Sequence, residues 1–308
     1  MKKTRLSIQE TVTNSIVKQI ESDGILPWRC PWQVSSTNNC LPFNFASKRS
    51  YSGINTLILW SEAIMKGYSS NAWLTFKQAQ ALGGSVRKGE TSTRCIYVGM
   101  STVEKEQNST KEDQWFSFQK VYSLFNIEQV DGVDLTSGNE EPLPDVNPCT
   151  LLDDSSDALL QAYCDNTGVI IRTGGPSAFY SPALDVIKMP TSFISGEGYI
   201  ATLAHEIVHS TGHQKRLNRF DEQQLSFNRH KDAYAFEELI AELGSAFICA
   251  ELNIEGQHEQ HVSYLESWLR HFKSDTSFLF KAAAAASKAH RYIAEAAGLS
   301  EDNLSEVA

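Results

Sequence analysis

Several features that would assign a protein class at once are missing from this 308-residue sequence. No apolar run is long enough to cross a bilayer, so no segment is expected to span a membrane. The first residues, MKKTRLSIQETV, lack the apolar core and small-residue cleavage site of a signal peptide, which makes the cytoplasm the expected location. The sequence has no internal repeat. It also has no zinc finger, RRM signature or P-loop, so recognition of duplex nucleic acid or of a specific nucleotide is not predicted.

Cysteine is sparse and unpatterned. The six cysteines form no CxxC pair and follow no spacing typical of a disulfide scaffold: Cys30, Cys40, Cys95, Cys149, Cys164 and Cys249. In a chain of this length without an export signal, we expect them to be reduced thiols.

The sequence does contain a marked separation of charge. The formal net charge is −10, but residues 1–99 hold 12 lysines and arginines against 5 aspartates and glutamates, whereas residues 131–308 hold 12 against 27. Five of the six tryptophans also precede residue 131. This asymmetry predicts different partners for the two halves, with a polyanion as the expected partner of the first.

Hydrophobic periodicity and turn residues predict an α+β protein of two domains. Residues 1–130 are expected to form an α+β domain, in which a helix with a Ser7–Glu10 capping box precedes a second helix and two long strands. Residues 131–148 are acidic, contain proline and have no apolar period, which is typical of a linker. Residues 149–308 are expected to form a mostly helical domain with a small antiparallel sheet.

The stretch TLAHEIVHSTGH, residues 202–213, has the H-E-x-x-H pattern of a metallopeptidase site. His205 and His209 are four residues apart, so on a helix both can direct a ring nitrogen at one ion. Glu206 lies one step round the helix, where its carboxylate can act as the base for a metal-activated water. The N/O-rich donor set makes Zn²⁺ the expected ion, and Mn²⁺ or Co²⁺ would also suit it.

A catalytic zinc site needs a third protein ligand and an open fourth position. The H-E-x-x-H-x-x-G-x-x-H class is excluded because position 215 is lysine, and His213 lies two residues too early. The later helical stretch FEELIAEL offers Glu238 and Glu242 on one face. Glu238 is the first choice as ligand. Glu242 is the alternative ligand, or else the acceptor of a ligand histidine's N–H, and His213 is expected to cap the helix end or support a ligand from behind. Glu237 is expected to face solvent.

An active site of this kind also needs an oxyanion donor and a surface for the peptide. Tyr180, Tyr234 and His230 are candidate donors that the sequence does not rank. The segment LDVIKMP, residues 184–190, is a candidate edge strand on which an extended peptide could add as a further strand.

The basic half interleaves cations with aromatic residues between positions 25 and 100. Single-stranded nucleic acid is bound by such a mixture, because cations neutralise phosphates and aromatic faces stack on bases. Trp60, within the apolar phrase INTLILW, is expected to be a core residue and not a stacking platform.

Longer phrases of the sequence resemble the ArdC-type antirestriction proteins. In the first half these are LPWRCPW, LPFNFASKRSYSGINTLILW, GYSSNAWLTFKQAQALGGSVRKGE and YSLFNIEQVDG, and in the second half TLAHEIVHSTGH and FEELIAELGSAF. The resemblance covers residues 5–298, and these proteins are also similar to the N-terminal part of TraC-type plasmid primases.

The resemblance implies an N-terminal single-stranded DNA-binding domain and a C-terminal zincin-like metallopeptidase domain, in a plasmid protein that protects incoming DNA from restriction. It places the metal site on His205, His209 and a glutamate of EELIAE, with Glu206 as the base. The DNA surface transfers only as a region, from which we name as candidate contacts Trp32, Arg49, Lys77, Arg87 and Lys88.

Two other functions stay open at this point. In one, the chain is a single-stranded DNA-binding protein whose metal site is structural or inactive. In the other, it is a metallopeptidase of a regulatory or restriction protein, and DNA serves as a localising ligand. The sequence does not name a peptide substrate.

Overall fold

The computed structural model describes residues 7–24, 26–29, 40–102, 115–133, 155–220, 231–254 and 262–299. The described part of the first half contains helices α1 (Ile8–Asp23), α2 (Ile54–Lys66) and α3 (Phe76–Ala81) and strands β1 (Phe43–Asn44), β2 (Ala72–Leu74), β3 (Ser85–Val86), β4 (Thr93–Thr102), β5 (Trp115–Asn126) and β6 (Val130–Asp131). The second contains α4 (Ser155–Thr167), β7 (Ile170–Thr173), β8 (Phe179–Ser181), β9 (Val186–Met189), α5 (Gly196–Thr211), α6 (Lys231–Glu251), α7 (Val262–Ser274) and α8 (Ser277–Ala296). This mixture confirms the predicted α+β class.

The first helix begins and ends where its sequence predicts. The Ser7 side chain accepts a hydrogen bond from the Glu10 backbone N–H at 3.1 Å, and the Glu10 carboxylate accepts the Ser7 N–H at 2.7 Å. Gly24 ends the helix with a left-handed φ of 67°, a conformation that glycine adopts without steric strain.

The first half is organised around a four-stranded sheet in the order β1-β2-β5-β4. Its longest pairing is the antiparallel β4–β5 ladder, which runs from Thr93 opposite Leu124 to Thr102 opposite Trp115. These are the two long strands predicted from the sequence. Strands β3 and β6 form a separate antiparallel pair.

The second half contains a three-stranded sheet in the order β7-β9-β8. The hairpin β8–β9 is antiparallel, but β7 pairs with β9 in parallel, so the prediction of a purely antiparallel sheet is wrong. The reason is topological. The chain forms β7 and then β8 before it places β9 between them, so β9 runs parallel to β7 and antiparallel to β8. The prediction that LDVIKMP is an edge strand is also wrong, since β9 is central and β8 lies at an edge of the described sheet.

The two halves share one hydrophobic core. The ring of Trp60 on α2 is fully buried and lies 5.9 Å from the ring of Phe247 on α6, while its indole N–H donates to the Cys40 carbonyl at 3.0 Å. Helix α8 contacts α1 and α2 as well as α4, α5, α6 and α7. The first and second halves therefore pack as one body, and Trp60 is a core residue as predicted. Most of the predicted linker lies outside the described residues, so its boundaries stay a prediction.

Two predictions from the sequence concern membrane-spanning helices and the state of the cysteines. In the described ranges, no helix is both long and apolar enough to cross a membrane. The four described cysteines are free and buried: Cys40, Cys95, Cys164 and Cys249. Cys30 and Cys149 lie outside the described residues.

Helices α5 and α6 approach each other closely at a glycine. A Cβ atom placed on Gly244 would lie 2.8 Å and 2.9 Å from the two γ carbons of Val208. These distances are shorter than van der Waals contact, so the crossing requires a residue without a side chain on α6. The crossing matters because α5 holds His205 and His209 and α6 holds Glu238.

We predict that Gly244→Val lowers the free energy of unfolding by about 1–3 kcal/mol, because overpacking forces the two helices apart. Denaturant titration followed by circular dichroism measures the change. The control is the double variant Gly244→Val/Val208→Ala, which restores the room and should be more stable than Gly244→Val alone. Additive losses in the double variant would contradict steric contact at this crossing.

Candidate functional site

Three side chains from α5 and α6 converge at one point. The Nε2 atoms of His205 and His209 are 3.2 Å apart, and each lies 3.6 Å from a different carboxylate oxygen of Glu238. Among the described residues, these three form the one group of histidine, cysteine or acidic side chains whose ligand atoms all lie within 4.8 Å of one another. Two imidazole nitrogens and a carboxylate can hold a divalent cation at their centre.

The electrostatics of this cluster favour a positive charge beside its carboxylate. Burial disfavours the charged form of Glu238, yet its hydrogen bond to His205 and the charge of His209 hold its pKa well below the usual range. Burial also disfavours a charged His209, but its hydrogen bond to Glu237 and the nearby charges of Glu238 and Glu206 raise its pKa above the usual value. The surroundings of His209 and Glu238 therefore favour a positive charge at the cluster.

A buried ion pair stands behind His209. Oε1 of Glu237 lies 3.4 Å from Nδ1 of His209 and accepts a hydrogen bond from Arg219 Nη2 at 2.7 Å. Arg219 also donates to the Thr211 hydroxyl at 2.7 Å and to the Val208 carbonyl at 2.9 Å. The prediction that Glu237 faces solvent is wrong, because its residue is only 8% exposed and its carboxylate is held from both sides.

The two residues predicted to support the ligands lie in other contacts. Glu242 is fully buried and forms an ion pair with Arg29, which belongs to the LPWRCPW phrase of the first half. Nδ1 of His213 lies 3.9 Å from Asp185, whose carboxylate also accepts a hydrogen bond from Arg216 Nη1 at 3.2 Å. Both side chains therefore stabilise the surroundings of α5 and α6, and the carboxylate behind His209 belongs to Glu237.

A cavity of about 240 Å³ opens onto the cluster. Glu206 lines it beside His205 and His209, in the place that the sequence predicts for a base. Tyr180 and Tyr234, two of the three predicted oxyanion donors, also line the cavity, whereas His230 lies outside the described residues. The other lining residues are Ala178, Phe179, Pro182, Phe220, Glu238 and Tyr264.

The tyrosines of the cavity differ in their hydrogen bonds. The Tyr180 hydroxyl donates to Asp185 at 2.8 Å and accepts from Arg216 at 3.0 Å. The Tyr234 hydroxyl is hydrogen-bonded with Glu238 and Tyr264, and burial together with the Glu238 charge raises its pKa well above the usual range. Tyr234 and Tyr264 therefore stay protonated donors at neutral pH. Sequence reasoning missed Tyr264, because no spacing relates α7 to the motif on α5.

One wall of the cavity is formed by the edge of the small sheet. Strand β8 contributes Phe179 and Tyr180, with Ala178 and Pro182 at its two ends. Its free side in the described sheet offers backbone groups to an extended chain, which is how many proteins bind peptides. The peptide surface predicted for LDVIKMP is therefore better assigned to the neighbouring strand.

The candidate DNA contacts of the first half have different environments. Arg49, Lys77 and Lys88 are exposed. Arg87 is also exposed, but its guanidinium lies 2.9 Å from Glu90 and 3.6 Å from Asp131, so its charge is partly neutralised. Trp32 lies outside the described residues.

Most of the described tryptophans of the first half serve the fold. Trp28, Trp60 and Trp73 are each at most 2% exposed, which removes them as platforms for stacked bases. Among the described side chains of this half, the exposed aromatic rings are those of Phe76 and Tyr97, at 49% and 43%. The tryptophan enrichment of the basic half therefore reports mainly a hydrophobic core.

Comparison with known families agrees with this geometry. The zincin-like metallopeptidase family matches residues 158–285, which include both histidines and Glu238. The N-terminal domain of anti-restriction factor ArdC matches residues 7–125. The two matches correspond to the helical half with the cluster and to the half with the four-stranded sheet.

Similar proteins extend over nearly the whole chain. The antirestriction protein ArdC of plasmid R388, solved metal-free and bound to Mn(II), is 39% and 38% identical in the two structures, with a TM-score of 0.75 in each. The structures cover 95% of this chain, which covers 98% and 99% of theirs. The uncharacterized protein y4eC of Sinorhizobium fredii is 34% identical over 92% of this chain and 90% of its own length.

A third relative is much longer. The DNA primase TraC of Escherichia coli is 31% identical over 92% of this chain, but the match spans only 20% of the primase. The shared segment is therefore too small a part of the primase to indicate primase activity in this chain.

The fold and the cluster define a protein in which an ArdC-type N-terminal domain is joined to a zincin-like metallopeptidase domain. The chain belongs to the ArdC family of antirestriction proteins.

We predict that Arg219→Met lowers the free energy of unfolding of the chelator-treated protein by about 3–5 kcal/mol, because Glu237 would remain buried without its guanidinium partner and would keep only the longer contact with His209. The matched control is Arg270→Met, whose pair with Asp232 is 68% and 70% exposed. This exposed pair should contribute at most about 1 kcal/mol. Denaturant titration measures both losses. Equal losses would show that the Arg219–Glu237 pair contributes no more to stability than an exposed pair.

Proposed function

We propose that this protein is an antirestriction factor that binds single-stranded DNA and cleaves a peptide bond at a divalent-metal site. The observation that carries the proposal is the convergence of His205, His209 and Glu238 at a cavity that also contains Glu206. Structural zinc sites are closed by four protein ligands, whereas catalytic sites keep a position open. Three donors beside an open cavity support a catalytic site over a structural one.

The ion would be held by Nε2 of His205, Nε2 of His209 and the Glu238 carboxylate. When bound, a divalent cation supplies Lewis acidity to a water molecule and to a carbonyl oxygen. Zn²⁺ is our first choice for a donor set of two imidazoles and a carboxylate. The R388 relative was solved with Mn(II), which supports Mn²⁺ as the alternative.

The side chains around the ion have distinct roles in this proposal. Glu206 accepts a proton from the attacking water and donates it to the departing amine. The hydroxyls of Tyr234 and Tyr264 line the cavity beside Glu238, and either would donate a hydrogen bond to the oxyanion after turning from its present partner. Strand β8 would hold the peptide in extended form. Glu237, itself held by Arg219, fixes the ring orientation of His209.

Binding of single-stranded DNA is supported by the ArdC-type domain and by the basic first half. Arg49, Lys77 and Lys88 are exposed cations in this half, and Phe76 offers an exposed ring near them in sequence. Cations with aromatic faces are the usual means of binding single strands. Protection of incoming DNA would then combine this binding with cleavage of a protein whose identity the site does not specify.

We predict that His205→Ala/His209→Ala abolishes stoichiometric binding of a divalent ion. The loss follows because two of the three protein ligands are removed. Metal content after dialysis against Zn²⁺ or Mn²⁺, measured by mass spectrometry, tests it. His213→Ala is the matched control, since His213 lies on the same segment and is as buried as His205, at 8% exposed. Retention of one ion per chain in the double variant would exclude these ligands.

We predict that Glu206→Gln keeps the metal and the DNA affinity but lowers peptide cleavage by about 10²–10⁴-fold, the usual contribution of a general base. Cleavage of a mixed peptide library, read by mass spectrometry, measures the loss.

The same variant separates cleavage from DNA coating. If peptidase activity carries protection, Glu206→Gln should no longer protect a plasmid that enters a restricting host. Full protection by this variant would instead favour a DNA-binding protein whose metal site is not needed for activity.

A further inference from the structure

A second cavity, of about 610 Å³, lies where the two halves meet. One wall is the α8 face of the second half, and the opposite wall comes from the start of α2 and from strands β4 and β5. It shares no lining residue with the cavity at the metal cluster. Nothing in the proposed peptidase chemistry uses it.

The charged residues that line this cavity are all cationic. Lys281, Lys288 and Arg291 project from α8, and no described carboxylate is among the lining residues. Lys281 lies 3.7 Å from Asp275, whereas Lys288 and Arg291 form no ion pair with any carboxylate in the described ranges. Three cations on one wall are notable because residues 131–308 are strongly acidic overall. This local inversion of charge favours an anionic ligand.

The three cations form a row along the helix. Positions 281, 288 and 291 fall on one face of α8, and their Cα atoms extend along about 15 Å of its axis. A mononucleotide carries its phosphate at one point and would meet only part of this row. A single strand presents a phosphate at every nucleotide, so it can engage all three cations.

The cavity also contains apolar surface and the N-terminus of a helix. Val98 of β4, which is 45% exposed, faces the cavity, as does the half-buried Phe280 of α8, and nucleobases can pack against such surface. Gly53 and Ile54 also line it, at the N-terminus of α2, where the first backbone N–H groups have no acceptor within the helix. The Gly53 N–H donates to the Ser287 hydroxyl on α8 at 2.6 Å, which joins the two walls.

We propose that this groove, lined by α8, the start of α2 and strand β4, binds the backbone of single-stranded DNA. The inference rests on the proposed DNA-binding function and deepens it, because it assigns part of the DNA path to the C-terminal helix α8. Phosphates lie along Lys281, Lys288 and Arg291, and bases pack towards Val98 and Phe280. The strand therefore crosses the junction between the halves.

The test measures binding of a fluorescein-labelled thirty-residue oligothymidylate to the full chain by anisotropy at several salt concentrations. The variant is Lys288→Glu/Arg291→Glu. The control is Arg172→Glu/Arg270→Glu, which makes the same change of net charge at exposed positions that do not line the groove. We expect the groove variant to lose about tenfold or more in affinity, and its slope of log affinity against log salt to fall by about 1.4, since each lost phosphate contact removes about 0.7.

The outcomes separate this inference from the proposed function. If the unchanged protein binds the oligonucleotide but the groove variant and the control lose affinity equally, the groove assignment is wrong and DNA binding stands. If the unchanged protein does not bind at all, the DNA-binding function itself is wrong, and the groove assignment with it.

Two further arms complete the test. Because Arg291 is half-buried, Lys281→Glu/Lys288→Glu, which changes exposed side chains alone, is measured beside it and should show the same direction of effect. Free thymidine monophosphate should not displace the oligonucleotide at equal phosphate concentration. Full displacement would assign the groove to a mononucleotide and overturn its assignment to a DNA strand.

Discussion

At the crossing of α5 and α6, Gly244 leaves the space that Val208 fills. The cluster of His205, His209 and Glu238 depends on this close approach of the two helices. His205 and His209 are fixed on one helix face by their spacing of four, but the third donor has to come from another element. The 3.6 Å distances from Glu238 to both ring nitrogens exist because α6 can lie this close to α5. Since protein interiors are close-packed, a side chain at position 244 would alter the geometry of the cluster and not only the stability of the core.

The close packing around α6 also buries several charged side chains. Glu237, Glu238 and Glu242 follow one another along α6 within six residues, and each is at most 8% exposed. A buried carboxylate is tolerated only with a partner, and each of the three has a different one. Arg219 holds Glu237, the histidines hold Glu238, and Arg29 pairs with Glu242. A cation at the cluster would fit this pattern, because it would meet carboxylates that the fold has already placed and ionised.

Sequence periodicity predicted the parts of the site that lie on one element, and it did not predict contacts between elements. The pairing of His205 with His209 and the strands on either side of the first hairpin follow from spacing, which also limited the third ligand to Glu238 or Glu242. The contact of Glu237 with Arg219 does not, because Arg219 lies in the segment after α5, whose path no pattern fixes. Tyr264 was missed for the same reason. The tryptophans show a limit of composition. Their enrichment in the first half is visible in the sequence, but composition does not distinguish a buried indole from an exposed one.

The shared core changes how the two halves should be viewed. The sequence divides them by charge, and the family matches divide them at residues 125 and 158. Yet Trp60 packs on Phe247, Arg29 neutralises Glu242, and the Gly53 N–H donates to Ser287, so apolar, ionic and hydrogen-bonding contacts all cross this division. A half produced alone would expose Trp60 or Phe247 and would leave Glu242 buried without Arg29, both of which are unfavourable. The proposed binding of DNA and of a metal ion should therefore both depend on the whole chain. Helix α6, which holds Glu238 and meets Arg29 one turn later at Glu242, gives a direct physical connection between the first half and the metal cluster.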